Sequence, residues 1–221
     1  VRAGQCVALI GPNGAGKSTT FACIAGQQQP QSGQVLWQGQ SLLGLSAAER
    51  LARGVGRSFQ VAQVFEALSV QANVQLALQA GQARLSHWQA LADWQRGPAQ
   101  ALLDQAGLAG QAQQLAAVLP YGAKKRLELA MVLAGRPGLL LLDEPAAGLA
   151  EQERADLMAW VRSLAADGLA VIYTEHNMDA VAGVADRVLV LIEGRIAAEG
   201  SFEEVAADPL VQARYLGRAH A

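Results

Sequence analysis

A nine-residue stretch, GPNGAGKST at positions 11–19, constrains the fold of this chain more than any other feature of the sequence. It follows the apolar run CVALI and precedes residues that favour a helix, so it is predicted to join a strand to a helix. It matches the pattern G-x-x-x-x-G-K-[ST] without exception. Glycines let backbone N–H groups curl around an anion, and the following helix N-terminus adds partial positive charge. The stretch therefore predicts a phosphate-binding loop in an α/β fold.

Each part of this loop has an expected role toward a nucleotide. Lys17 is expected to reach the β- and γ-phosphates, and the hydroxyl of Ser18 is expected to bind Mg²⁺. An ordinary glycine-rich turn is the alternative, and the complete match between a strand and a helix argues against it. The predicted nucleotide-binding residues are Gly11, Pro12, Asn13, Gly14, Ala15, Gly16, Lys17, Ser18 and Thr19.

An acidic pair, Asp143 and Glu144, ends the apolar run LLLL at positions 139–142. A continuous apolar run predicts a strand buried on both faces of a parallel sheet, and ligands bind at the carboxyl ends of such strands. Asp143 is expected to support Mg²⁺, mainly through water, and Glu144 to activate the attacking water as general base. Such a pair is often only solvated, but the phosphate loop in the same chain favours the catalytic interpretation.

Composition sets the remaining bounds on the chain. With 221 residues, 52% of them hydrophobic, it can bury a large core. The formal net charge of −2 gives no general case for binding nucleic acid.

Cys6 and Cys23 lie in apolar patterns and are expected to be reduced, buried thiols rather than a disulfide or metal ligands. No apolar run approaches the roughly 20 residues of a membrane helix. Because the chain starts at Val1, almost within a strand, an N-terminal piece is expected to be missing.

The motifs that follow the phosphate loop resemble those of the nucleotide-binding domain of ABC transporters, in order and spacing, over essentially the whole chain. GRSFQ, LPYGAKKRLELA, LLLLDEP, AAGLA and YTEHNMD are similar to the Q-loop, signature, Walker B, D-loop and switch regions. The resemblance implies a P-loop NTPase fold of the α/β class, with a RecA-like core sheet, a short antiparallel β part and an inserted helical subdomain. We expect one ABC ATPase domain over 1–221. Its core would occupy about 1–63 and 136–221, and its helical signature subdomain about 64–135, with the N-terminal strands missing.

The resemblance also implies roles for individual residues. Gln60 would contact Mg²⁺ and sense a membrane partner, and His176 would sense the γ-phosphate. The signature residues would contact ATP bound by a second ATPase subunit, which is the same or a related chain; they are Pro120, Tyr121, Gly122 and Ala123. The expected cofactors are ATP and Mg²⁺. The expected catalytic residues are Glu144, His176 and Lys17, and the expected metal ligands are Ser18, Gln60 and Asp143.

The signature loop departs from the family pattern, Leu-Ser-Gly-Gly-Gln, and here reads LPYGA at positions 119–123. Pro120 has neither a hydroxyl nor a backbone N–H, and losing one hydrogen bond to a charged group costs about 1.5–3 kcal/mol. Lys124, Lys125 and Arg126 crowd the first turn of the helix, where cations are unfavourable. They either compensate near a phosphate or form a solvated basic turn, and Arg126, which matches a basic family position, favours the first alternative.

Other positions carry weaker expectations. Ala150 replaces the D-loop aspartate of the family. Met131 replaces a common arginine and, by its helical spacing, is expected in a core. Trp37 is expected to pack on its sheet rather than to stack on adenine. Leu85, Trp88 and Leu91 recur at three-residue spacing, which indicates either a helical core or a surface that receives the membrane subunit.

Within the family, RSFQVAQVFEALSVQANV, EPAAGL and EHNMDAV are similar to the ATPases of branched-chain amino acid importers. Urea and short-amide importers and lipopolysaccharide exporters share parts of this pattern. The resemblance implies an ATP-hydrolysing subunit, peripheral on the cytoplasmic face of the inner or plasma membrane. Its expected partners are membrane permease subunits, which contact residues near Phe59–Leu68, and indirectly a periplasmic solute-binding protein, with no nucleic acid. Two alternatives of another class are a non-transport ABC ATPase and an ATP-dependent binding module that hydrolyses weakly.

Overall fold

A six-stranded sheet organises the computed structural model, which describes residues 1–80, 95–215 and 217. The strand order is β4-β5-β6-β1-β7-β8. All neighbours pair in parallel except β7 and β8, which are antiparallel. The strands are β1 (Cys6–Ile10), β4 (Val55–Arg57), β5 (Leu139–Asp143), β6 (Ala170–Thr174), β7 (Arg187–Ile192) and β8 (Arg195–Gly200). The predicted α/β class with a mainly parallel sheet is confirmed.

Both faces of the sheet are buried, as the apolar run in β5 predicts. Leu140 and Leu142 point to one hydrophobic cluster, whereas Leu139 and Leu141 point to another. The first cluster is closed by helices α6 (Glu151–Ala166) and α7 (Met178–Val184), and the second by α1 (Lys17–Ala25). The sheet therefore lies between two layers of helices. The carboxyl ends of its strands remain open to ligands.

Helix α1 begins within the phosphate loop, where the sequence predicts the start of a helix, and its far end is fixed by a buried arginine. Arg50 lies in α2 (Ala47–Ala52), whose N-cap, Ser46, forms a capping box with Glu49. The Arg50 guanidinium is fully buried and donates to the carbonyl of Ile24 at 2.8 Å and to that of Cys23. A cation at this end of a helix is favoured by the helix dipole, so Arg50 anchors the helix that carries the phosphate loop.

A third hydrophobic cluster lies within the segment that the sequence predicts to be helical. It joins α3 (Val70–Ala80), α4 (Arg96–Gln105) and α5 (Tyr121–Ala134), with Val74, Leu103 and Leu127 fully buried. Met131 packs against this cluster, as predicted. Leu85, Trp88 and Leu91 lie outside the described residues.

The remaining elements are small. Strands β2 (Leu36–Trp37) and β3 (Gln40–Ser41) form a separate antiparallel hairpin. Trp37 packs against the cluster around α1, which agrees with its expected packing role. Helices α8 (Phe202–Ala207) and α9 (Pro209–Arg214) follow β8. Both cysteines are free thiols, but only Cys6 is buried, so the expected burial of Cys23 is wrong in part.

One strand is shorter than predicted. The sequence predicts a strand over 55–60, but β4 ends at Arg57, and the last main-chain hydrogen bond to β5 is that of 2.9 Å from the N–H of Ser58 to the carbonyl of Leu141. The reason is that side chains of α5 hold the main chain of the next residues, as described below. Among the described residues, no helix combines the length and apolar character needed to cross a membrane.

Candidate functional site

The loop between β1 and α1 requires glycine where it begins. Gly11 has φ +147°, and a Cβ there would lie 2.0 Å from the carbonyl oxygen of Leu191. The loop is also fixed from the β7–β8 turn, since the N–H of Gly194 donates to the carbonyl of Ala15 at 2.9 Å. Gly14 and Gly16 also have positive φ, which L residues rarely adopt. The loop is thus held against β7 with its backbone in the curled form that a phosphate needs.

Lys17 is a buried cation at the start of α1. Its side chain donates to the carbonyl oxygens of Gly11 at 2.7 Å and Pro12 at 3.1 Å. Burial lowers the pKa of Lys17, and the negative charges of Glu144 and Asp143 partly oppose that effect. Within the described parts of the chain, Lys17 forms no salt bridge. A buried cation bonded only to loop carbonyls suits an anionic ligand such as a phosphate.

Asp143 is held by two neighbouring strands at the end of β5. Thr174, its register partner on β6, donates to Asp143 Oδ1 at 2.9 Å. Arg57, the last residue of β4, lies 3.2 Å from Oδ2 in a salt bridge. Both carboxylate oxygens therefore have protein partners, which is consistent with support of a cation through water rather than direct ligation.

Glu144 lies where the remaining polar groups converge. Its Oε2 accepts a hydrogen bond from Gln60 Nε2 at 2.9 Å, and its Oε1 lies 2.9 Å from His176 Nε2. Its backbone has φ +47°, a left-handed conformation that costs a non-glycine residue of order 1 kcal/mol. The N–H of Glu144 donates to the hydroxyl of Thr174 at 2.9 Å, which helps to hold this conformation.

His176 is oriented by the buried carboxylate that precedes it. Glu175 is 4% exposed, and its Oε2 accepts from the N–H of His176 at 3.1 Å. Its Oε1 accepts from the N–H of Ala146 at 3.1 Å, in the segment that follows Glu144. Glu175 thus joins the switch segment to the segment after β5. The structure brings together Gln60, Glu144 and His176, the three residues that the sequence placed in separate motifs.

The expected Mg²⁺ ligands have suitable chemistry. Within the described residues, no group of three or more His, Cys, Asp or Glu side chains is arranged to hold a metal. Ser18, Gln60 and Asp143 offer a hydroxyl, an amide and a carboxylate, all oxygen donors of the kind Mg²⁺ prefers. Mg²⁺ commonly takes its other ligands from water and substrate phosphates, so such a sparse protein set fits a nucleotide-borne ion.

The signature residues form the first turn of α5. Pro120 is the N-cap and makes no side-chain capping bond. Gly122 is buried, and a Cβ there would lie 2.6 Å from Glu153 Oε1. Tyr121 is 41% exposed, but within its own chain its hydroxyl donates to the carbonyl of Gln60 at 3.3 Å. The signature turn is therefore attached to the Q-loop of the same chain.

The basic cluster in this turn differs from both of its predicted forms. Lys125 is only 3% exposed, so the expectation of a solvated or phosphate-facing side chain is wrong for it. Its ammonium instead binds the carbonyl oxygens of Phe59 and Gln60. Lys124 pairs with Glu66 at 2.6 Å, and Arg126 pairs with Asp156 at 3.5 Å. Each cation has a partner in its own chain.

Several site residues were given no role from the sequence, although two of them, Arg57 and Thr174, lie within the GRSFQ and YTEHNMD stretches. Thr174 and Arg57 end strands next to β5, so the order of the strands would have indicated them. Tyr215 follows α9 and packs on the core beside β1. Burial raises the pKa of Tyr215, and a hydrogen bond with the backbone of Gly11 partly opposes this. The end of the described chain therefore contacts the phosphate loop.

Comparisons with known proteins identify relatives in sequence and in fold. The sequence profile of the ABC transporter family matches residues 1–147. The chain is 35% identical, over 97% of its length and 88% of the relative's, to the high-affinity branched-chain amino acid transport ATP-binding protein BraF of Pseudomonas aeruginosa. The corresponding protein LivG of Escherichia coli is also 35% identical, over the same shares of the two chains.

A solved structure shares the whole fold. It is the ADP conformation of an ATP-binding cassette of an ABC transporter, with 28% identity and a TM-score of 0.84. The match covers 97% of this chain and 89% of that one. The predicted P-loop NTPase fold of the ABC ATPase type is thereby confirmed. On the profile, the relatives and the fold together, this chain belongs to the ABC transporter family.

Proposed function

We propose that this chain is the ATP-hydrolysing subunit of an ABC importer for branched-chain amino acids. One observation carries the ATPase part of the proposal: the Glu144 carboxylate lies between Gln60 and His176, at 2.9 Å from each. It does so at the carboxyl end of β5, within the electrostatic influence of Lys17. A carboxylate fixed in this way can accept a proton from an attacking water.

The phosphate loop Gly11–Thr19 would bind the substrate ATP. Its backbone N–H groups and Lys17 would hold the phosphates, and His176 would contact the γ-phosphate. Ser18, Gln60 and Asp143 would hold Mg²⁺, which when bound neutralises part of the phosphate charge. Glu144 would hold and deprotonate the water, and Thr174 would keep Glu144 and Asp143 in place. The protein contributes positioning and electrostatics rather than covalent chemistry.

The transported solute is proposed from the relatives. Two relatives, each matched over 88% of its length, are named as branched-chain amino acid transport ATP-binding proteins. Importers of this type receive their solute from a binding protein, so a periplasmic solute-binding protein would be an indirect partner. The chain would lie on the cytoplasmic face of the membrane as a peripheral subunit.

The membrane permease is proposed to contact the segment Phe59–Leu68. Phe59, Val61 and Phe65 are large apolar side chains that are 41%, 64% and 51% exposed. Exposed apolar side chains grouped in one segment are typical of a protein contact. The segment contains Gln60, so a partner bound here would influence the Gln60–Glu144 contact. We also propose that the core comprises about 1–63 and 136–221, and the helical subdomain about 64–135.

A second ATPase subunit, the same or a related chain, would complete each site. Its phosphate loop would face the signature residues Pro120, Tyr121, Gly122 and Ala123 of this chain. Because Pro120 offers no hydroxyl, the site that it serves is expected to be slower. If the partner has a standard signature, the site that uses Lys17 and Glu144 of this chain would be the faster of the two.

One observation favours a second candidate, an ATP-dependent binding module that hydrolyses weakly. Pro120 is the N-cap of α5 and has no hydroxyl, so both sites of a homodimer would lack the hydroxyl that could donate to ATP. Two copies of such a module would close over ATP and separate slowly. Their rate of ATP hydrolysis would stay low even with the membrane partner present.

The test is ATP hydrolysis by the purified chain, alone and with its permease subunits in vesicles, together with leucine uptake. We expect Glu144→Gln to lower kcat by about 10²–10⁴-fold while ATP still binds, since a general base contributes about this much. Turnover that stays low with the permease would favour the binding module. Turnover that ignores the permease but rises with nucleic acid would eliminate the transport function.

A further inference from the structure

One face of α5 lies against the Q-loop instead of the helical cluster. Gly122, Lys125 and Glu128 are three residues apart, which places them on the same side of the helix, and all three are buried. Their neighbours Leu127 and Ala130 point the other way, into the cluster with α3 and α4. Buried charges on a helix face need partners, and here the partners are main-chain groups of the Q-loop.

Lys125 binds carbonyl oxygens of the Q-loop. Its ammonium lies 3.2 Å from the carbonyl oxygen of Phe59 and contacts that of Gln60. It is 3% exposed and, in the described part of the chain, forms no salt bridge. Burying an ammonium costs several kcal/mol, and the contacts to the two carbonyl oxygens offset part of this cost. These contacts also fix the position of the Q-loop main chain relative to α5.

Glu128 binds the same segment as a hydrogen-bond acceptor. Its Oε1 accepts from the N–H of Phe59 at 3.1 Å, and the side chain is 4% exposed. Tyr121 adds a hydrogen bond of 3.3 Å to the carbonyl of Gln60. Three side chains of α5 thus hold the N–H and the carbonyl of Phe59 and the carbonyl of Gln60.

The segment held in this way carries the amide that contacts Glu144. Gln60 Nε2 lies 2.9 Å from Glu144 Oε2, so the position of its main chain decides whether the contact forms. A displacement of about 1 Å in a catalytic arrangement can cost about 100-fold in rate.

We propose that Lys125 and Glu128 are positioning residues for ATP hydrolysis, which hold the main chain of Phe59 and Gln60 so that the Gln60 amide reaches Glu144. The inference rests on the proposed ATPase function and adds to it two residues of the signature helix that the proposed function places in contact with neither ATP nor Mg²⁺. It also implies that a shift of the signature helix moves the Q-loop of the same chain, because α5 begins at the signature turn.

The first test uses paired substitutions. Lys125→Met keeps the length of the side chain but removes the donor, and we expect kcat to fall by about 10- to 100-fold with little change in the KM for ATP. Glu128→Leu removes the acceptor and should act likewise, whereas Glu128→Gln keeps an oxygen for Phe59 and should keep kcat within about twofold. Arg96→Met removes an exposed cation at the start of α4 and serves as the control.

Thermal unfolding and ATP affinity are measured on each variant. A purely structural role predicts that kcat falls only as far as the folded fraction or the ATP affinity falls. The proposal predicts a lower kcat in folded protein that still binds ATP. If Lys125→Met and Glu128→Leu fold and hydrolyse ATP at the wild-type rate, the proposal is wrong.

The second test asks whether Lys125 acts through Gln60. If it does, Gln60→Ala with Lys125→Met should lose no more kcat than Gln60→Ala alone, because the pair then acts as a unit. Losses that multiply would overturn the proposal while leaving the ATPase function in place. Wild-type turnover that does not depend on Glu144 would instead overturn the ATPase function itself, so the two failures are distinguishable.

Discussion

The hydroxyl of Thr174 accepts a hydrogen bond from the N–H of Glu144 at 2.9 Å and donates one to Asp143 Oδ1 at 2.9 Å. One small side chain on β6 thus fixes both acidic residues at the end of β5. It also holds Glu144 in a left-handed conformation that the residue adopts at a cost. The geometry of the acidic pair depends on the neighbouring strand as much as on its own.

Replacing this hydroxyl should harm catalysis more than folding. Thr174→Val preserves the shape of the side chain but leaves the Glu144 N–H without its partner, which should cost about 1–3 kcal/mol of unfolding free energy. We expect kcat to fall by about tenfold or more as Glu144 moves. Thr174→Ser retains the hydroxyl and is the control. Equal activity of the Val and Ser variants would contradict this role.

Gly11 should tolerate no side chain. Gly11→Ala places a Cβ 2.0 Å from the Leu191 carbonyl oxygen, so either the loop or β7 must shift. We expect ATP affinity to fall by more than about 100-fold and the free energy of unfolding to fall by about 1–3 kcal/mol. Gly14 also has a positive φ, but the Cβ of a Gly14→Ala variant would meet no atom within 4 Å. Calorimetry of ATP binding and thermal unfolding of both variants therefore distinguish the effect of the steric clash at Gly11 from that of backbone strain.

Glu128 should make stability depend on pH. Burial raises the pKa of Glu128 from 4.5 to about 7, against the opposing effects of the Phe59 N–H, the Lys125 charge and the backbone of Gln63. Between these values the folded state holds a proton that the unfolded state releases, so the free energy of unfolding falls as pH rises through this window. The full effect is about 3 kcal/mol.

Urea unfolding of the wild type and of Glu128→Gln between about pH 5 and pH 8 measures this effect. The variant lacks the titrating group, so the stability of the wild type relative to the variant should decline up to about pH 7 and then level off. A constant difference between the two proteins over this range would refute the assignment.

Pro120→Ser should test what the altered signature has removed. A serine restores an N–H and an N-cap hydroxyl, and such a cap stabilises a helix by about 1 kcal/mol. If the hydroxyl also serves ATP on a partner subunit, kcat should rise by about tenfold, as expected for one hydrogen bond to a charged group. Pro120→Ala restores the N–H alone. The same rise in both variants would exclude a role for the hydroxyl.

Local sequence patterns predicted the elements well where a single rule governs them. The glycines predicted the phosphate loop between β1 and α1, and the apolar run before Asp143 predicted β5. These features depend on residues adjacent in the chain, so they can be inferred without knowing the fold.

Contacts between distant segments could not be predicted in the same way. Thr174 meets Asp143 only because β5 and β6 pair in one register, which no local pattern specifies. The sequence suggests that Lys125 belongs to an exposed basic turn. In the structure the Q-loop lies against its helix and binds the Lys125 side chain. The proposed role of Lys125 depends on carbonyl oxygens that are 65 and 66 positions away in the chain. Because every residue has a main-chain carbonyl, the residue types do not indicate which carbonyls Lys125 binds.

The sheet order has a consequence for the synthesis of the chain. Strand β1, which leads into the phosphate loop, pairs with β6 and β7 in the sheet, and both strands lie beyond residue 169. The loop is therefore synthesised long before the hydrogen-bonding partners of its strand leave the ribosome. Nucleotide binding should be acquired only after β6 and β7 have emerged, in a late closure of long-range pairs.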